Sequence, residues 1–210
     1  MTVVKICGLT NLEDARWAWL CGADLLGFVF VPSSPRYIAP AQARRIIADL
    51  RAEGCTAGCV GVFVNEPLAS CRRIIWGCRL DFAQLHGDES PAYAADLGTP
   101  AIIARRVQEH IPWDELACYQ AWAYLLDSYH PHQLGGTGHT WPWDLMQDRL
   151  RRMGRWILAG GLSPDNVAQA IRQANPWGVD VSSGVEARPG RKDSAKVQSF
   201  IQRVREEEPA

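Results

Sequence analysis

"VVKICGLTNLEDARWAWLCGADLLGFVF" (residues 3–30) reads as strand, helix, strand. VVKIC at 3–7 is short and β-rich, and a sharp glycine turn at Gly8 follows it. NLEDARWAWLCG opens on an Asn cap and closes on a glycine, and LLGFVF at 25–30 is a second apolar run. Strands alternating with helices imply a parallel sheet with right-handed crossovers.

The same unit recurs along the chain. Further strand-like runs are GCVGVFV (58–64), DFAQLH (81–86), AIIARRV (101–107), AYLLD (123–127), RWILAG (155–160) and WGVDVS (177–182). PAQARRIIADLRAEG starts with proline and ends in glycine, and SPDNVAQAIRQAN carries a Ser cap with proline in its first turn. The last helix lies near DSAKVQSFIQRVREEE and frays into an acidic tail. Eight such runs in 210 residues predict an α/β fold, a single (β/α)8 TIM barrel at the short end of its size range. An open doubly wound sheet is the rival; it asks for G-x-G-x-x-G after the first strand, where CGLTNL stands. No linker, low-complexity tract or charge block divides the chain, so residues 1–210 read as one barrel domain.

A formal net charge of −1 gives no electrostatic case for nucleic acid or an anionic membrane. No apolar run approaches the ~18 residues of a membrane span. MTVVKICG lacks the basic and apolar segments of a signal peptide. Seven cysteines, an odd number without C-x-x-C, suit reduced thiols in a cytoplasmic protein. Cys55 and Cys59 have a tolerable zinc spacing, but no second Cys/His pair answers them, so no metal is expected. The nine tryptophans read mostly as packing residues between helices and barrel.

In such barrels, chemistry gathers at the C-terminal ends of the strands. There stand Cys7, Arg36, Asn65, Gln84 with His86, Asp127, Gly160 with Gly161, and Asp180 leading into Ser182, Ser183 and Gly184. Lys5 and Cys7 are two apart and share a strand face, as do Gln84 and His86, and Asp180 and Ser182. A lysine beside Cys7 would favour the thiolate. Taken alone, Cys7 also reads as a small buried hydrophobe. Asp127, at the mouth of a closed site, could serve as a general acid or cap the turn that follows. GGTG (135–138), AGGL (159–162) and SSGVE (182–186) fall after three consecutive strands, and their amides suit a phosphorylated small molecule. Arg188, Arg191 and Lys192 read as a solvated surface. A base, an acid and a phosphate cradle, with no cofactor fingerprint, suggest isomerisation of a sugar phosphate.

At this point the residues resemble a family. KICGLTNLEDA, GFVFVPSSPRYI, GVFVN, QLHGDE, LLDS followed by GGTG, AGGLSPDNV and DVSSGVEARPGRKD run in order from residue 5 to residue 193. Together they are similar to the phosphoribosylanthranilate isomerases. The resemblance implies an Amadori rearrangement of N-(5-phosphoribosyl)anthranilate to 1-(2-carboxyphenylamino)-1-deoxyribulose 5-phosphate. It implies Cys7 as general base and Asp127 as general acid. Arg36 would meet the anthranilate carboxylate, and His86 and Asp180 would line the pocket. Backbone groups around Gly136, Gly138, Gly160, Gly161, Ser183 and Gly184 would hold the phosphate, with no cofactor. The family usually reads G-T-G-K after strand six; here His139 replaces that lysine, so charge on the loop becomes pH-dependent. Two rivals stand beside this reading. One is a barrel isomerase of the histidine-pathway aminoaldose, whose two phosphates would need a second anion-binding region. The other is a non-catalytic phospho-ligand-binding barrel. Monomer and homodimer remain open.

Overall fold

Strand residues face two apolar environments in turn, which explains why the runs are continuous rather than alternating. In β3 (Gly58–Phe63), Val60 and Val62 belong to clusters inside the barrel, while Cys59 and Phe63 join the layer under the helices. The structure is a computed structural model that describes residues 1–107, 111–127, 150 and 152–207.

The order begins β1 (Val3–Ile6), α1 (Leu12–Leu20), β2 (Leu25–Val29), α2 (Pro40–Ala52), then β3 and α3 (Leu68–Cys78). It continues with β4 (Phe82–Leu85), α4 (Pro91–Asp96), β5 (Ala101–Arg106), α5 (Trp113–Leu116), β6 (Ala123–Asp127) and β7 (Trp156–Ala159). After α6 (Val167–Ala174) come β8 (Gly178–Val181), a 3-10 turn at Ser183–Val185, a ribbon of β9 (Glu186–Arg188) and β10 (Arg191–Lys192), and α7 (Ser194–Glu206). The first eight strands close in sequence order, each parallel to its neighbours, and β1 meets β8 with Lys5 opposite Asp180. The eight-stranded (β/α)8 barrel expected from the repeats is therefore present, and the open sheet is not.

Two local expectations change. The helix expected to start at a Ser163 cap begins instead after Asn166. The Asn166 side chain folds back, accepting from Ser163 N at 2.8 Å and donating to Gly161 O at 2.9 Å, so residues 163–166 form a turn. The β9–β10 ribbon was not visible as a hairpin in the sequence, because its strands are too short to show any period.

Leu25, Val60, Ile102, Ala104, Leu125 and Ile157 fill the barrel, and Ile6, Phe28, Ile47, Leu85, Trp156 and Phe200 pack between strands and helices. Phe82, Trp122 and Trp177 sit at the N-terminal ends of strands, with centroid spacings of 4.2 and 5.3 Å. Arg155 lies over both tryptophan rings. These two tryptophans thus seal the barrel floor rather than pack under helices, and Trp76 is 63% exposed. No helix of the described residues is long and apolar enough to cross a membrane.

Candidate active site

The opposite, C-terminal end of the barrel opens into a cavity of about 530 Å³. Cys7, Arg36, His86, Asp127, Asp180, Gly160, Gly161 and Ser183 all line it. Gly184 lies just behind: a Cβ built there would stand 1.9 Å from Leu162 O, so only glycine lets the loop after β8 rest on the loop after β7. Gly136, Gly138 and His139 lie outside the described residues. Asn65 does not reach the cavity. It ties the loops after β3 and β4 together, donating from its backbone to Glu89 Oε1 at 2.6 Å and accepting from Asp88 N at 2.8 Å.

Cys7 follows β1 directly and is 7% exposed, packed with Val29 and Val62. Below it Lys5 is fully buried, and its Nζ donates to Asp180 Oδ1 at 2.8 Å. Burial alone would lower the lysine pKa, but Asp180 and the Cys7 sulfur hold it above its ordinary value. Burial pushes the Cys7 thiol up. Lys5 and Lys192 pull the other way, Asp180 adds to the rise, and the net direction is upward. The thiolate bias expected from Lys5 is real but outweighed by desolvation.

Gln84 Nε2 lies 3.2 Å from His86 Nδ1, and His86 Nε2 lies 3.9 Å from Asp127 Oδ2. Burial lowers the His86 pKa and Asp127 opposes that only in part, so the imidazole is neutral near neutral pH. Two buried polar atoms on cavity-lining residues, Gln84 Oε1 and Ser182 Oγ, have no protein partner among the described residues. Such groups are satisfied when a ligand brings hydroxyl or amine donors and acceptors.

Arg36 is held by Glu186 in a two-point pair, Nε to Oε1 at 2.9 Å and Nη2 to Oε2 at 2.7 Å. Glu186 is buried, and its Oε1 also accepts from Lys192 Nζ at 3.1 Å. Burial would raise the Glu186 pKa, but Arg36 and Lys192 bring it below the ordinary carboxylate value. Lys192 is therefore not on a solvated surface; it is 6% exposed, whereas Arg188 is exposed and Arg191 pairs with Glu13. Sequence reasoning passes over Glu186. The available signal was an acid and a base flanking Pro189 and Gly190, the ends of a tight hairpin.

The seven cysteines are free. Burial raises the Cys59 thiol to about 12, with Arg51 partly offsetting it, and Cys55 is also pushed up by burial.

A family model of N-(5'phosphoribosyl)anthranilate (PRA) isomerase matches residues 4–203. The N-(5'-phosphoribosyl)anthranilate isomerase of Geobacter metallireducens is 49% identical over 205 residues, covering 98% of this chain and 100% of that one. The phosphoribosyl anthranilate isomerase of Thermotoga maritima superimposes with a TM-score of 0.88 at 40% identity, over 98% of this chain and 100% of that one. A solved phosphoribosyl anthranilate isomerase in complex with reduced 1-(o-carboxyphenylamino)-1-deoxyribulose 5-phosphate matches with a TM-score of 0.86 at 38% identity, over 98% of this chain and 100% of that one. Barrel, cavity and relatives agree: the chain belongs to the N-(5'-phosphoribosyl)anthranilate isomerases, enzymes of tryptophan biosynthesis.

Proposed function

We propose that this isomerase runs its Amadori rearrangement by general acid–base catalysis, with Cys7 as base and Asp127 as acid, in one domain spanning residues 1–210. Asp127 protonates the furanose ring oxygen as the C1′–O bond breaks and the nitrogen lone pair forms the imine. Cys7, as thiolate, takes the C2′ proton. The electrons of that C–H bond move into C1′–C2′ to give the enolamine, which tautomerises to the aminoketone. Reactant and product are isomers at the same overall oxidation level, so the reaction consumes no cofactor.

The observation that carries this reading is one cavity lined by Cys7, Asp127, Arg36, Gly160, Gly161 and Ser183 together. β1 and β6 are three places apart around the closed ring, so thiol and carboxyl approach a bound ligand from different sides. Lys5 and Lys192 both favour the ionised form of the thiol and so offset part of the cost of its burial. Arg36 receives the anthranilate carboxylate, for which a planar fork of donors is suited. His86 and Asp180 line the pocket around the substrate. Amides around Gly160, Gly161, Ser183 and Gly184 receive the phosphate, and Gly136 and Gly138 are proposed to join them.

Substitution separates the roles. Cys7→Ala lowers kcat by at least ~10²-fold, the lower end for loss of a general base, with the circular-dichroism spectrum unchanged. Asp127→Asn loses turnover yet still binds the reduced product analogue in a calorimetric titration. An active, folded Cys7→Ala protein would remove the thiol from the mechanism. Near-wild-type turnover by Asp127→Asn would move the acid elsewhere, with His86 next in line.

A further inference from the structure

A guanidinium offers a carboxylate two edges, one from Nε with one terminal nitrogen and one from the two terminal nitrogens. In Arg36 the first edge is taken, because Nε and Nη2 both donate to Glu186. The acceptor is itself immobilised. The Glu186 side chain is 4% exposed, and its Oε1 also accepts from Gly190 N at 3.3 Å and from Lys192 Nζ at 3.1 Å. Lys192 is anchored in turn, donating to Ser182 O at 3.0 Å. The arginine stem is fixed from the other side. Gly8 has φ +78, and a Cβ there would stand 2.6 Å from Arg36 Cδ. Nη1 has no partner among the described residues, and Arg36 lines the cavity.

We propose that Glu186, backed by Lys192, is a positioning and specificity-determining residue: it grips one edge of Arg36 so that the other edge stands aligned for the aryl carboxylate of the substrate. The inference rests on the reading of Arg36 as the carboxylate-binding group. Clamping removes the rotamer freedom that Arg36 would otherwise lose at each binding event. Charge points the same way. The triad contains two cations and one anion, so a substrate carboxylate completes the balance, while a substrate without one leaves a desolvated positive charge unanswered.

The test compares N-(5-phosphoribosyl)anthranilate with N-(5-phosphoribosyl)aniline, which lacks only the carboxylate, in wild type and Glu186→Gln. The amide keeps the size of the side chain but cannot accept from both guanidinium nitrogens. The expected result for Glu186→Gln is a KM for the anthranilate substrate raised about tenfold, with kcat and the KM for the aniline within about twofold of wild type. Equal loss on both substrates would make Glu186 a merely structural residue, and no loss would show that Arg36 needs no clamp; either overturns the proposal. A wild type that does not discriminate between the two substrates would overturn the carboxylate reading of Arg36, and this inference with it. If Glu186→Gln does not fold, Glu186→Asp carries the test, since it keeps the charge but is too short to span Arg36 and Lys192. A KM increase confined to the carboxylated substrate supports the proposal there, and a uniform one defeats it.

Discussion

At the scale of single residues, the informative feature is a polar atom on the cavity wall that the fold leaves without a partner among the described residues. Among the described residues, Ser182 Oγ is buried without a protein partner. An orphan hydroxyl of this kind costs about 1–3 kcal/mol of stability that ligand binding recovers. Ser182→Ala should therefore hold or raise the Tm of the free enzyme while raising KM several-fold; a variant with lower Tm and unchanged KM would show that the hydroxyl serves the fold alone. Cys7, Arg36, His86 and Asp127 were legible in the sequence because each ends a recognisable strand or lies in a quoted motif. Glu186 and Lys192 were not. An ion pair buried by a short ribbon has the same composition as a solvated turn, and only the tertiary fold tells them apart.

Elements set the chemistry of those residues through register. The β1–β8 ladder places Lys5 beside Asp180, and the pair acts on Cys7 with opposite signs. Lys5→Met should shift the midpoint of Cys7 alkylation to higher pH, because a favouring cation is lost and Asp180 is left uncompensated. Asp180→Asn should shift it to lower pH. Peptide mapping of iodoacetamide adducts across pH measures both, and shifts of the same sign would refute the opposition. The strand bounds follow from the sequence to within a residue or two, since a fully apolar run bounded by glycine and polar turns leaves little freedom. Ser163-Pro164 is a sound local signal, but it places the start of α6 too early. It lost to Asn166, whose side chain secures Gly161 and so serves the loop rather than the helix.

For the molecule as a whole, closure and acid stability follow from the same architecture. Phe200 on α7 is fully buried against the barrel. Phe200→Ala should cost ~3–5 kcal/mol, about 10 °C in Tm for a chain of this size, measured by thermal melting. His86 and Glu186 both have folded-state pKa values below their unfolded ones. Each therefore contributes stability that is complete above its unfolded pKa and lost as pH falls through the folded one. Tm should decline on acidification in two stages, the first beginning below roughly 6.5 and the second below roughly 4.3. His86→Asn should flatten the first stage and Glu186→Gln the second, while unchanged slopes would assign the acid sensitivity to other groups.

The pairing of β1 with β8 also sets an order of events in time. Lys5 and Asp180 are 175 positions apart, so β1 leaves the ribosome long before the strand that completes it. At usual translation speeds the wait is on the order of ten seconds or more, and until then the growing sheet has two bare edges. During that interval β1 carries one charge, Lys5, among Val3, Val4 and Ile6, and a lysine on an open edge makes the strand a poorer template for a neighbouring chain. Pulse-labelled hydrogen exchange during refolding should show the amides of β1 and β8 gaining protection last and together. Early protection of β1 alone would mean that this strand finds another partner before its own arrives.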